Sequence, residues 1–250
     1  MSQGPRIIII GATSLIAEHC ARRWVTQGAS ALVLVGRNAA RLEGIANDLR
    51  VRAPGVGVQW READFQDPGR IQALADELCR AGPVDVVLIA HGSLPDQAHC
   101  QSDLVANREA LMVNAVSPAL FAEAFAGHLA AAGRGTLALV GSVAGDRGRK
   151  SNYVYGAAKG LVTRYVQGLQ HRLAGSGVGV VLIKPGPTDT PMTAHMKPSG
   201  ARLADPAVVA RTIVDGIAAG KAVIYAPAKW ALIMMVIRHL PARIFNKLNI

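Results

Sequence analysis

The chain has 250 residues, half of them apolar, and carries 27 Lys and Arg against 17 Asp and Glu, for a net charge of +10. That length and apolar content exclude a disordered chain and allow a core that removes roughly three quarters of the unfolded surface from water. The Lys and Arg residues are scattered, with no basic stretch interleaved with aromatics, which excludes nucleic acid and leaves an anionic lipid or a phosphorylated ligand to answer the charge.

Apolar, β-branched runs alternate with helical patterns from end to end. Ile7–Ile10, Leu32–Val35, Val84–Ala90, Leu137–Val140 and Val178–Ile183 read as buried strands, with weaker ones at Val56–Trp60 and Ala222–Tyr225. Between them the pattern predicts helices over 15–27, 39–50, 68–80, 103–131, 152–174 and 206–219. Asp67-Pro68 and Asp205-Pro206 each read as an N-cap followed by Pro at the first helical position. Strict alternation predicts an α/β fold, a single doubly wound parallel sheet of Rossmann type with helices on both faces. No linker or repeat divides it, so residues 1–250 read as a single domain with a basic, apolar tail at 228–250. The apolar run at the N-terminus is too short for a signal peptide. No stretch reaches the roughly 18 apolar residues that cross a bilayer. Cys20, Cys79 and Cys100 match neither a metal spacing nor a disulfide framework, and read as free thiols in a reducing cytoplasm.

Ligands of such sheets sit outside the carboxyl ends of the strands. After the first strand comes Gly11-Ala12-Thr13-Ser14. Gly11 permits a tight turn, the hydroxyls of Thr13 and Ser14 suit a phosphate or a helix cap, and the helix opening at Leu15 and Ile16 favours an anion. After the second strand stand Gly36-Arg37-Asn38, with Arg41 a turn further on. A cation where an NAD site wants an acid suits a ribose 2′-phosphate, hence NADP(H). After the third, Asp64 beside Phe65 suits either an adenine amino group or a helix cap. The fifth strand ends in Gly141-Ser142, and Ser151 reads as the cap of a helix holding Tyr155 and Lys159. Four residues apart, these two share one helix face, where an ammonium would lower the phenol pKa and make Tyr155 a usable proton donor and acceptor. Tyr153 has Ala157 at that spacing and is discounted.

In order and spacing, Gly11-Ala12-Thr13-Ser14, Ala63-Asp64-Phe65, Val113-Asn114-Ala115, Gly141-Ser142, Tyr155-xxx-Lys159 and Pro185-Gly186 resemble the short-chain dehydrogenase/reductase family over nearly the whole chain. The resemblance implies a catalytic tetrad of Asn114, Ser142, Tyr155 and Lys159, a nicotinamide cofactor that also meets Ala90, His91, Gly92, Pro185, Gly186, Thr188 and Thr190, no metal, and a homodimer or homotetramer built on the 103–131 and 152–174 helices. It further implies hydride transfer to or from a carbonyl or secondary alcohol on a small molecule. Two departures stand out. Leu15 and Ala17 replace the second and third glycines of the family turn, and Ile89-Ala90-His91-Gly92 replaces its usual Asn-Asn-Ala-Gly. Both touch the cofactor half, which keeps a catalytically idle nucleotide sensor as the rival reading. Arg147-Gly148-Arg149-Lys150 and His91-Gly92-Ser93-Leu94-Pro95 are similar to segments of reductases of keto-sugars carried on a lipid phosphate, so the loops at 93–100, 143–152 and 188–204 are expected to form a pocket that suits an anionic substrate.

The tail has no acid after Asp215 but carries Lys221, Lys229, Arg238, Arg243 and Lys247 around the apolar run Trp230–Ile237. It fits a helix lying in the headgroup region, kinked at Pro241, with Trp230 at its edge. Subunit packing or a flap over the site fits as well. The expected location is the cytoplasm, with peripheral attachment to the inner face of the membrane if the lipid reading holds.

Overall fold

The computed structural model describes residues 4–200 and 202–248. Residues 1–3 and 249–250, at the ends of the expected domain and tail, and residue 201 of the expected pocket segment lie outside that set. Seven parallel strands form one sheet in the order β3-β2-β1-β4-β5-β6-β7. They are β1 (Arg6–Ile10), β2 (Ala31–Gly36), β3 (Gly57–Glu62), β4 (Val86–Ile89), β5 (Thr136–Val140), β6 (Gly179–Pro185) and β7 (Val223–Ala226). Strand order reverses between β1 and β4, which opens a crevice at their carboxyl ends.

The alternation inside β1 shows how the layers form. Ile7 and Ile9 enter one core with helices α1 (Leu15–Thr26), α2 (Ala39–Arg52) and α8 (Pro206–Ala218). Ile8 and Ile10 enter the other with α3 (Pro68–Arg80), α6 (Ser117–Ala132) and α7 (Tyr153–Arg172). All four isoleucines are fully buried. At about 2–3 kcal/mol each, they fix the register that aims the strand ends. Asp67 and Asp205 cap α3 and α8, accepting from Arg70 N at 2.8 Å and Ala207 N at 2.7 Å, each with Pro in the first turn as expected.

Three local features depart from the sequence reading. A short helix, α4 (Gln97–Ser102), precedes the expected 103–131 helix. That helix is itself interrupted between α5 (Leu104–Leu111) and α6 by a π-helical turn over Met112–Val116. By length and composition the stretch Leu104–Ala132 would cross a membrane, unlike any run read from the sequence, but 61% of its most apolar window is buried inside the fold, the signature of a core helix. The cap of α7 is Asn152 rather than Ser151, and its side chain makes no capping bond. After β7 the tail forms α9 (Lys229–His239) and α10 (Ala242–Phe245), broken at Pro241 because proline cannot continue the first helix.

Candidate active site

A cavity of about 460 Å³ occupies the crevice at the switch of strand order, lined in part by Gly11, Thr13, Ser14, Leu15, Ile16, Arg37, Asp64, Phe65, Ala90, His91, Gly92 and Thr190. Twelve of the sequence-derived cofactor residues therefore come together here. Gly11 takes a left-handed φ of 82°, and a Cβ there would lie 2.6 Å from the His91 backbone nitrogen, so the turn admits no side chain. The Gly11 and Ala12 amides donate to Val35 O at 2.8 and 3.0 Å, which ties the turn to β2. Ser14 is the N-cap of α1 but makes no side-chain cap bond, so the first-turn amides face the cavity without a built-in acceptor. Ala17, at the place of the third family glycine, is fully buried between helix and sheet, so its methyl is accommodated. Leu15 lines the cavity itself.

Arg37 and Arg41 stand together on the cavity wall. Arg41 donates to Thr13 O at 2.9 Å, while the exposed Arg37 has no ion pair or hydrogen bond from its side chain among the described residues. Asp64 accepts from Gln66 N at 2.8 Å, an Asx turn that shapes the loop and leaves its other oxygen open. His91 packs edge-on against Phe65 and Phe121, with its Nε2 2.8 Å from Ser117 Oγ. Its Nδ1 is shielded from solvent and unpartnered. Burial, and then the charges of Lys159 and Arg37, push the His91 pKa down to about 3, so the ring is neutral. Glycine cradle, uncapped helix start, unpaired cation and orphaned ring nitrogen together fit a dinucleotide phosphate and its ribose.

Gly92 links this cavity to two residues of the expected tetrad: a Cβ built there would lie 2.8 Å from Asn114 Oδ1 and 3.4 Å from Lys159 Nζ. Asn114 is fully buried in the π-helical turn, where an inserted residue re-aims the side chain. Its amide donates to Ala110 O at 2.9 Å and its oxygen accepts from Ser93 N at 2.8 Å. Lys159, 3% exposed, donates to Val140 O at 3.0 Å, and burial brings its pKa down to about 8. Its ammonium lies 5.9 Å from the centre of the Tyr155 ring. The Tyr155 hydroxyl shares a hydrogen bond with Ser142, whose Oγ also accepts from Ala144 N at 3.0 Å. The expectation of a depressed phenol pKa is corrected here. Burial raises Tyr155 above its ordinary value, and the Ser142 bond offsets only part of that rise.

The β6 exit is arranged differently from the sequence reading. Thr190 lines the cavity with Pro191 and Met192, but Pro185, Gly186 and Thr188 do not. The Thr188 hydroxyl donates to Gly186 O at 2.9 Å, and Gly186 is covered by the indole of Trp230, whose Nε1 would be 1.9 Å from a Cβ at that position. Trp230 thus faces the fold rather than marking the edge of a lipid-facing stripe. Arg147, expected to serve an anionic substrate, donates instead to the carbonyls of Ile237 and Leu240, both at 2.6 Å, with its guanidinium 3.8 Å above the Phe245 ring. Beside it, the buried pair Lys184–Asp146 with the Tyr225 hydroxyl on Asp146 Oδ2 at 2.8 Å holds the turn after Ser142. Asp146, Lys184 and Ser117 carried no signal in the sequence, since each acts through a partner distant in the chain or masked by an ordinary helical pattern.

The comparisons with known proteins agree with this geometry. A family model described as short chain dehydrogenase matches residues 5–200. An uncharacterized oxidoreductase of Streptomyces coelicolor is 34% identical over 247 residues, covering 97% of this chain and 95% of that protein. A short-chain dehydrogenase from Sphingobium yanoikuyae in complex with NADPH shares the fold with a TM-score of 0.80 at 23% identity, covering 95% of this chain and 97% of that one. A bulky-bulky ketone specific alcohol dehydrogenase from Comamonas testosteroni does so with a TM-score of 0.81 at 22% identity, over 99% and 96%.

Proposed function

We propose that this chain, which belongs to the short-chain dehydrogenase family and is an oxidoreductase of alcohols and carbonyls, works with NADP(H) and reduces a polar carbonyl substrate of the keto-sugar kind. The observation that carries the reading is the junction at Gly92, where the Arg37 cavity meets Asn114 and Lys159. NADP(H), when bound, supplies or receives the hydride. Tyr155 holds the proton. With its pKa raised by burial it stays a neutral phenol at physiological pH, the form that donates to a carbonyl oxygen during reduction. Ser142, bonded to that hydroxyl, sits where a second hydrogen bond to the same oxygen stabilises the charge that develops on it. Lys159 is held on Val140 O beside Gly92, in reach of a ribose in the cavity. Asn114, anchored through Ala110 and Ser93, positions a water for the proton relay.

The substrate class rests on the loops beyond the tetrad. Gln97 Nε2 and Asn152 Oδ1 are buried without a partner, and Gln97 Oε1 ties their two loops together through Val154 N at 3.1 Å. Buried polar atoms call for polar partners, which hydroxyls of a sugar supply. Arg149, partly buried and without a side-chain partner among the described residues, suits an anionic group on the substrate. The test is NADPH oxidation with keto-sugars, phosphorylated keto-sugars and simple ketones. Tyr155→Phe is expected to lose about 10²–10⁴-fold in kcat with NADPH binding retained. Nucleotide binding without turnover of any carbonyl, or an unchanged rate for Tyr155→Phe, would refute the assignment.

A further inference from the structure

We propose that α9 and α10 form a docking surface for an anionic lipid bilayer, laid flat in the headgroup region. The inference stands apart from the catalytic reading, since it uses no residue of the tetrad or the cofactor cavity.

Helix α9 is apolar on two sides, and the fold covers only one. The inner side is Trp230 on Gly186, Met234 at 3% exposure, and the half-buried Ile237. The outer side shows Leu232 at 64%, Val236 at 54%, Met235 at 48% and Ile233 at 36% exposure. Leu232 and Val236 lie one turn apart along that arc. Past the break at Pro241 the apolar surface continues with Ile244, 52% exposed, and Leu248, 38% exposed. A helix apolar all round is normally covered all round, and a contiguous exposed patch of this kind marks an interaction surface.

The exposure does not come from a loose tail. Arg147 caps the carboxyl end of α9 through the carbonyls of Ile237 and Leu240 and stacks on Phe245. Trp230 and Met234 pin the other turns. The outer face is therefore presented by a helix fixed to the body.

Charge decides what covers it. The 35 residues after Asp215 contain no Asp or Glu, while Lys229, Arg238, Arg243 and Lys247 supply four exposed cations in and just after α9 and α10. A second copy docked here about a two-fold axis would set one cationic rim against the other, with no Asp or Glu side chain in either tail to pair them. An anionic bilayer offers apolar depth for Leu232 and Val236 and negative charge for the rim at once. At about 1.5 Å per residue, the 11 residues of α9 are too short to cross a membrane, and Pro241 stops them from joining α10, so the pair lies along the surface. Because Arg147 follows Ser142 and Gly186 follows β6, this places the carboxyl ends of the sheet next to the lipid.

The experiment is co-sedimentation of the full chain with vesicles of phosphatidylcholine alone and of phosphatidylcholine with phosphatidylglycerol, at low and high salt, alongside light scattering without lipid. The expected result is binding to the phosphatidylglycerol vesicles only. It should weaken as salt rises, because each cation near the surface is worth about fivefold in partitioning. The exposed-face variant Leu232→Glu/Val236→Glu should bind at least about tenfold more weakly while keeping the parent's circular dichroism and melting temperature. Three results would overturn the proposal: no difference between the two vesicle types, equal vesicle binding by the double variant, or an oligomer in light scattering that the double variant splits while neither form binds lipid. The vesicle comparison with the unaltered chain decides the matter even if the double variant misfolds.

Discussion

Asp146→Asn isolates the element that holds the catalytic loop to the sheet. Asp146 ends the 3-10 turn that Ser142 begins, and its carboxylate meets the Lys184 ammonium of β6 with side-chain exposures of 2% and 5%. Its second oxygen accepts from the Tyr225 hydroxyl of β7 at 2.8 Å, and burial together with that bond pushes Tyr225 up to about 12. Asparagine keeps the shape and one acceptor but leaves the lysine charge buried and uncompensated. Breaking one partner of such a pair costs about 3–5 kcal/mol. For a chain of this length that is a fall in Tm of about 6–20 °C. Urea unfolding should show the loss as a lower midpoint at unchanged slope. The double variant Asp146→Asn/Lys184→Met removes the stranded charge and keeps an acceptor for Tyr225, so it should regain at least half of the lost stability. A single variant within about 1 kcal/mol of the parent, or a double variant no better than the single, would show that the pair does not hold this turn.

Arg37→Ala should weaken NADPH by roughly 10–150-fold, the worth of about 1.5–3 kcal/mol for a hydrogen bond to a charged group, and leave NADH within a few-fold; equal losses in fluorescence titration would defeat the NADP(H) reading. Gly186→Ala should cost about 1–3 kcal/mol by overpacking, since its methyl would fall on the Trp230 indole, and Trp230→Ala in the same chain should recover part of it; an unchanged Tm for Gly186→Ala would mean that the indole is not seated there. His91 takes up a proton near pH 6.5 when unfolded but only near 3 when folded, so stability present above pH 6.5 is lost as pH falls toward 3, by up to about 5 kcal/mol. His91→Asn should flatten that part of the stability–pH curve, and an unchanged slope between pH 6.5 and 4 would refute the buried neutral ring.

The strands were legible because each is a short apolar run ended by Gly, Pro or a polar residue, and the same punctuation placed the ligand side of the sheet. Asp67-Pro68 and Asp205-Pro206 were legible because an N-cap and its proline are neighbours in sequence. The π-helical turn at 112–116 was not. Its local mark is Pro118, which has no N–H to donate to the Asn114 carbonyl four residues back, but that proline reads equally as the start of a helix, and the bonds that Asn114 makes to Ala110 O and Ser93 N, one of which crosses to another loop, have no trace in the local pattern. For the same reason α4 was missed. Its six residues are too few to show a period, and they are held by an Asp96 cap accepting from His99 N at 2.7 Å and by the reach of Gln97 to Val154.

The basic loop between Ser142 and Tyr155 shows where reading a sequence stops. Arg147, Arg149 and Lys150 are equivalent as letters, three cations on one polar segment. In the fold they separate by what surrounds them. Arg147 finds two carbonyls at the end of α9 and an aromatic ring, so its charge serves the tail. Lys150 is exposed and solvated. Arg149 is partly buried without an acceptor, and desolvation lowers its pKa, which makes it the one of the three that an anionic ligand would relieve. The acceptors that divide them lie about ninety residues further along the chain, or in a ligand, and no local pattern records either. If Arg149 has that role, Arg149→Gln should raise KM for a phosphorylated keto-sugar by about tenfold or more while leaving a neutral ketone unaffected. Arg147→Gln should instead lower the melting temperature and leave the ratio of the two KM values as it was. A matching change in both substrates for Arg149→Gln would return that residue to the solvated loop.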